Sequence, residues 1–303
     1  MPNKTSNKFI SWLLFISLCL IWGSSFKLMK DSTSALTGSQ IASLRIFAAA
    51  LSVLPFAFLH IAKIEKKRLG YVAFSAVIGN LLPAFLFAIA LTRIDGSLGG
   101  ILNSLTPICV VLIGILFYKD RVASEKMLGL FIGFIGLVLL TLLPVLTGDK
   151  SISFENQGYL LLPVAATLLY GFNVNMVSHR LKDINPIHLA TVSVAFMIIP
   201  TSYFLWAQGF FQLDFSNNEV QEAIIATSLL GILGSAVATV LFYSLVQRAG
   251  GLFASLVTYG IPFVALFWGV LDNESVTLLE VGCLLLILAG VYLANRAPTK
   301  KTS

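Results

Sequence analysis

Ten apolar runs, each close to the length that crosses a bilayer and joined by short polar gaps, constrain this chain more than any other feature. They cover about residues 8–29, 38–62, 69–92, 95–118, 125–146, 158–180, 187–210, 221–247, 251–271 and 277–295. A spanning helix needs roughly 20 mainly apolar residues, because a rise of about 1.5 Å per residue must cover ~30 Å of hydrocarbon. Two gaps are very short, Arg93-Ile94-Asp95-Gly96 and Arg248-Ala249-Gly250-Gly251. Each flanking pair of runs is too long for one span, and each gap holds a charge and glycine, so both are read as breaks. Composition agrees: 57% of residues are hydrophobic and 11% charged, against about 25% charged in a soluble domain. The longest polar gaps, near 147–157 and 211–220, are too short for a folded domain. Whatever the chain does, its membrane helices do it.

Lysine and arginine set the orientation, because they accumulate on the cytoplasmic side. With the N-terminus inside, fifteen of the twenty fall on inside segments, including Lys63, Lys66, Lys67, Arg68, Lys119, Arg121, Lys126, Arg180, Lys182 and Arg248. Lys27, Lys30, Arg93 and Lys150 fall outside, and Arg45 alone lies within a span. The expectation is a cell (inner) membrane protein with both termini cytoplasmic. The first run follows Lys4 and Lys8 as a signal peptide would, but it is long enough to span and shows no small-residue cleavage pattern, so it reads as a retained helix. The net charge of +6 is spread over the gaps as topology requires, which argues against a nucleic-acid partner. Cys19, Cys109 and Cys283 lie in apolar runs and match no metal or disulfide spacing.

The sequence repeats. A shift of 155 residues matches Phe87 with Phe242, Arg93 with Arg248, Gly96 with Gly251, Pro107 with Pro262, Gly114 with Gly269, Leu116 with Leu271 and Glu125 with Glu280. The shift carries the third and fourth runs onto the eighth and ninth, so each half holds five spans. Five is odd, so the second half enters the membrane inverted. Inverted repeats are a transporter device, because two halves of opposite orientation can exchange conformations around a site near the midplane.

Four stretches carry a family resemblance: Ile21-Trp22-Gly23-Ser24-Ser25-Phe26; Leu44-Arg45-Ile46-Phe47-Ala48-Ala49-Ala50; Ala90-Leu91-Thr92-Arg93 through Pro107 to Tyr118; and Phe242-Tyr243 through Tyr259-Gly260-Ile261-Pro262 to Glu274. Together they resemble EamA-type members of the drug/metabolite transporter superfamily. The resemblance covers two repeats, 10–143 (helices 1–5) and 158–295 (helices 6–10). It implies an all-α integral membrane protein of ten transmembrane helices in two five-helix inverted repeats, and secondary transport, usually export, of metabolites or drugs. The family often has Gly-Glu after its fourth and ninth helices. Here Lys119-Asp120-Arg121 and Asp272-Asn273-Glu274 stand there; if that Glu has a structural role in the family, the first half supplies it differently.

Ionisable residues at membrane depth usually mark function. Arg45, about seven residues inside the second run, reads either as a counter-ion for an anionic substrate group or a gating partner, or as a structural arginine bonded to helix-end carbonyls or snorkelling outward. No Asp or Glu sits near a midplane: Asp95, Glu219, Glu222, Asp272, Glu274 and Glu280 all fall near outer ends. The pattern offers no carboxylate relay for protons and no buried anion for a cationic substrate. His60, His179 and His188 fall at the cytoplasmic edge, where solvated rings are expected. The mid-depth polar residues are neutral: Asn80; Asn103, Ser104 and Thr106 around Pro107; Thr167, Tyr170 and Asn173 on one helical face; Ser235; and Tyr259 beside Pro262. Lipid disfavours exposed polar groups, so these point inward, either to a substrate cavity with Trp22, Tyr243 and Trp268 as walls or to neighbouring helices. The candidate substrate-binding set is therefore Trp22, Arg45, Asn80, Asn103, Tyr170, Asn173, Tyr243 and Tyr259. Pro107 and Pro262 are candidate hinges, since proline removes a backbone hydrogen bond. Glycines at 129, 133 and 136 and at 231 and 234 suit close helix packing.

There is no zincin, nucleophile-elbow or nucleotide-binding motif and no paired midplane carboxylate. The chain is read as no enzyme, with no catalytic residue, cofactor or metal. The expected function is export, by alternating access, of a small amino-acid-like, neutral or zwitterionic metabolite, or of drugs. An importer or facilitator, or a non-transporting membrane scaffold or receptor, is the alternative. Its partners are a small-molecule substrate and the lipid bilayer, and the sequence leaves a homodimer open.

Overall fold

In a computed structural model the chain is described over residues 4–32, 35–94, 96–146, 148, 157–271 and 277–296. Asp95, Lys150, Asp272, Asn273, Glu274, Lys300 and Lys301 lie outside the described residues, as do the side chains of Lys4, Phe26, Lys27, Lys30 and Arg296.

Ten helices are long and apolar enough to span: α1 (Lys8–Ser25), α2 (Gly38–Ile61), α3 (Lys66–Leu91), α4 (Gly99–Tyr118), α5 (Ser124–Leu143), α6 (Gly158–His179), α7 (Pro186–Ala207), α8 (Asn218–Ala249), α9 (Gly251–Trp268) and α10 (Leu278–Asn295). The two disputed breaks are real, and glycine makes one of them: Gly250, at φ 88°, turns α8 into α9, a conformation that only glycine adopts without strain. Other starts are capped by side chains. Thr37 and Gln40 form a reciprocal capping box at α2, and Asn185 and Asn217 accept from Ile187 and Glu219 at α7 and α8. Each cap satisfies an amide the helix cannot.

The helices pack as a duplicated unit. α5 and α10 run antiparallel at very close range: Gly129, Gly133 and Gly136 face Ala294, Gly290 and Ile287 in reverse order. A Cβ on Gly290 would strike the backbone of Gly133, so only glycine permits this approach. α1 runs parallel to α9, with Gly23 against Ile261 and Val264. α6 runs parallel to α4 in the same way, with Gly171 against Cys109 and Ile113. Shifting by 155 carries Cys109 onto Val264, and Trp22-Gly23 corresponds to Tyr170-Gly171 at a shift of 148. The two contacts are thus copies of one another. The shift changes between the second and third spans of each half, where four residues join α2 to α3 and ten join α7 to α8.

Both third-position helices carry a π-helical turn at the same register. In α3 it spans Val77–Leu81, and in α8 it spans Ile232–Val237. The Leu82 amide reaches Val77 O and the Ala238 amide reaches Leu233 O, one residue beyond the α-helical partner. Pro83 follows the first turn and, lacking an N–H, leaves the Gly79 carbonyl without its usual donor. π turns of this kind widen a helix and cluster at functional positions.

The fourth and ninth spans are also interrupted. α4 breaks at Ser104 and Leu105, just before Pro107, and Thr106 Oγ1 donates to the Asn103 carbonyl that proline cannot serve (2.7 Å). α9 breaks at Leu256, flanked by Ser255 and Thr258 hydroxyls that donate to Leu252 O and Ser255 O. Pro262 lies inside the continuous segment Val257–Leu271. The two candidate hinges therefore differ: Pro107 adjoins a break, whereas Pro262 lies beyond one.

Candidate functional site

The charged cluster forms where α1 and α2 meet the π turn of α8. α2 and α8 touch at the backbone: a Cβ on Gly231 would strike the Arg45 carbonyl. This closeness brings the guanidinium onto the turn. Arg45 Nε donates to Ser235 Oγ at 2.9 Å and Nη2 reaches Gly234 O at 3.5 Å. Trp22 Nε1 donates to the same Gly234 carbonyl at 2.9 Å. Tyr170 lies within electrostatic reach of Arg45 from α6. Among the described residues, no carboxylate pairs with Arg45.

Two aromatic contacts frame this cluster. Trp22 meets Phe242 with ring centroids 5.5 Å apart, and Tyr170 stacks on Phe87 at 6.5 Å. Phe87 and Phe242 are related by the 155-residue shift and Trp22 and Tyr170 by the 148-residue shift. One wall of the site is therefore built twice. Asn80, within the π turn of α3, and Asn103, before the break in α4, are half-buried. Neither side-chain amide has a partner among the described residues.

A second cluster lies against the π turn of α3. Ser75 Oγ donates to Asn173 Oδ1 (2.6 Å), Ser75 Oγ and Tyr243 OH are 3.1 Å apart, and Asn173 Nδ2 donates to Tyr243 OH (3.5 Å). One direction satisfies all three: serine gives to the amide oxygen, tyrosine to serine, and the amide nitrogen to tyrosine. All three side chains are buried. A Cβ on Gly79 would strike Asn173, so glycine in the π turn makes room for this ring of hydrogen bonds. Ser75 lies one turn from Gly79, and Asn173 lies nearly one turn beyond Tyr170, in both cases toward the basic end of the bundle where the α2–α3, α4–α5 and α6–α7 connections lie.

Of the sequence candidates, the structure brings Trp22, Arg45 and Tyr170 together and places Asn173 with Tyr243 in the second cluster. It sets Tyr259 apart. The Tyr259 ring is fully buried against Gly133, and its hydroxyl donates to Leu130 O at 3.1 Å, joining α9 to α5. Thr167, Tyr170 and Asn173 share a face but serve different neighbours, since Thr167 is buried against Cys109. The wall residue Trp268 donates to Ser24 Oγ at 2.9 Å.

Sequence reasoning missed Ser75, Phe87, both π turns and a pair at the basic end. His179 Nε2 lies 3.0 Å from Asp120 Oδ1, its Nδ1 lies 2.9 Å from Asn175 O, and its ring stacks on Tyr118 at 4.3 Å. His60 is bonded as well, to Thr191 Oγ1 at 2.8 Å, with the His188 ring 4.5 Å away. These rings are held rather than simply solvated. Asp120 lies against Gly114. The Gly79–Gly234 match at 155 and the Trp22-Gly23 and Tyr170-Gly171 match at 148 were the available signals for the missed turns.

Comparison with known proteins gives a consistent result. A family model described as the EamA-like transporter family matches residues 9–142 and 156–296. A protein named an uncharacterized transporter from Archaeoglobus fulgidus is 25% identical over 289 residues, covering 94% of this chain and 98% of its own. Another of that name, from Helicobacter pylori, is 24% identical and covers 96% of each chain. A solved crystal structure superposes with a TM-score of 0.72 at 17% identity, over 96% of this chain and 97% of the other. That structural likeness concerns the fold.

Proposed function

We propose, from the premise that the chain belongs to the EamA-like transporter family, that it exports a small zwitterionic or neutral metabolite by alternating access around the Arg45 cluster. The coarser statement needs no proposal: this is a multi-pass membrane transporter and not an enzyme. The basic end is read as cytoplasmic, in a cell (inner) membrane, because short basic connections stay on that side.

The observation that carries the substrate reading is Arg45. A guanidinium within a span is costly unless a negative group or a set of dipoles offsets it. Ser235 and the Gly234 carbonyl supply dipoles only. A carboxylate on the substrate would complete the site, while Asn80 and Asn103 offer neutral hydrogen bonds and Trp22 and Tyr170 offer aromatic surface. One cation among neutral groups suits a compound with one carboxylate and no net negative charge.

The Ser75–Asn173–Tyr243 ring serves as the gate. It lies on the basic-end side of the Arg45 cluster and is dry and closed. Opening toward the cytoplasm parts three hydrogen bonds, and the π turns of α3 and α8 are the elements whose geometry changes.

The test is untargeted mass spectrometry of the medium around cells producing the protein or its Arg45→Ala variant at matched levels. Specific metabolites enriched by the intact protein should fall at least about tenfold with the variant, since a hydrogen bond to a charged group contributes about 1.5–3 kcal/mol. Enrichment unchanged by Arg45→Ala would overturn the site.

A further inference from the structure

A cavity of about 380 Å³ opens at the basic end, remote from the Arg45 cluster, among the ends of α4, α6 and α10 and the starts of α5 and α9. Its most deeply buried lining is mainly apolar, formed by Val110, Val111 and Leu256 with the Asn175 amide beside them. Its rim carries Arg121 and Lys126, which flank the first residue of α5. Neither cation has an ion-pair or hydrogen-bond partner among the described residues. The one carboxylate in the lining, Asp120, is already engaged by His179 at 3.0 Å. Lys126 is half-buried and draws no compensation from the described residues.

The geometry points to a binding site for a phosphoryl anion in this cavity, held between Arg121 and Lys126, with the headgroup of an anionic inner-leaflet phospholipid as its source. The cytoplasmic position rests on the orientation read above. Three features converge on this ligand. The two cations sit at the start of α5, where a spanning helix ends. The space between them lies within the range of small-molecule sites. The mainly apolar lining suits glycerol and the first acyl carbons. Anionic lipids concentrate on the cytoplasmic leaflet and are drawn to basic pockets between helices there. Free phosphate shares the phosphoryl chemistry but has no use for the apolar lining.

Native mass spectrometry of the purified full-length protein tests this, with phosphatidylglycerol and phosphatidylcholine as probes. One phosphatidylglycerol should be retained in preference to phosphatidylcholine. Arg121→Ala with Lys126→Ala should weaken its binding about 30-fold, at about fivefold per cation. The charge-preserving pair Arg121→Lys with Lys126→Arg should retain it, which separates lost charge from misfolding. Lys66→Ala with Lys67→Ala, outside the cavity, should leave binding unchanged. Equal loss in that control, or no lipid preference at all, would overturn the proposal. Inorganic phosphate that binds and displaces the lipid would move the source to the soluble anion. None of these readouts involves transport, so failure here and failure of the Arg45 reading are separable.

Discussion

The two π turns are the same element used for two purposes. Val77–Leu81 and Ile232–Val237 coincide under the 155-residue shift, each has a glycine at its centre, and each faces the corresponding stretch of the other half's first helix. Around the turn of α3 the facing residue is Asn173, sealed with Ser75 and Tyr243 into a buried neutral ring. Around the turn of α8 the corresponding position is Ser25, and the indole of Trp22 and the guanidinium of Arg45 converge on one carbonyl. The counterpart of Arg45 at the 148-residue shift is Ser193, a buried hydroxyl that donates to its own helix at Ala190 O. The same geometry therefore occurs twice, around a charged cluster in one copy and a buried neutral ring in the other. An unlike pair of this sort suits a carrier, in which one region must bind while the other must seal.

The largest effect that would break this comparison comes from the charge. Arg45→Ala should lower export at least about tenfold while protein levels and thermal unfolding change little. A fold that collapses instead would make Arg45 structural and the two turns equivalent. On the other side, Tyr243→Phe should leave Ser75 and Asn173 short of a partner and cost about 1–3 kcal/mol, read as a lowered midpoint of thermal unfolding. The glycines sharpen the contrast. A Cβ at residue 79 would strike Asn173, whereas one at residue 234 would stop 3.1 Å from Ser25 Oγ. Gly79→Ala is expected to cost about 1–3 kcal/mol and Gly234→Ala less than about 1, from the same unfolding measurement. The smallest effect belongs to neither turn: Tyr259→Phe removes a single interhelical bond to Leu130 O and should cost only about 0.6 kcal/mol, with export retained.

Much of this was legible in the sequence for a physical reason. Lipid forces every span to satisfy its own backbone, so apolar length alone gave ten helices, and a glycine beside a charge marked each tight break. Arg45 stood out because a single cation in an apolar run has few explanations. The Ser75–Asn173–Tyr243 ring was not legible: a serine in a helix bonds its own turn as readily as a neighbour, and only packing decides which. The π turns leave no periodic signature, since one inserted residue merely rotates the rest of the helix about its axis. The repeat of the first two spans was hidden because the shift is 148 there and 155 beyond the connections after α2 and α7. The bond from Tyr259 to Leu130 O was not legible, because a tyrosine beside a proline at mid-depth reads alike whether it lines a cavity or clamps two helices.

The central claim is that the α3 turn seals the site the α8 turn builds, and side-specific labelling tests it most directly. With Cys19, Cys109 and Cys283 replaced, a cysteine at Asn80 would be challenged by a membrane-impermeant thiol reagent from the basic side. The account predicts slow labelling while the ring is intact and about tenfold faster labelling with Tyr243→Phe, as loss of the two hydrogen bonds at the Tyr243 hydroxyl allows. Equal labelling rates in the two proteins would contradict it.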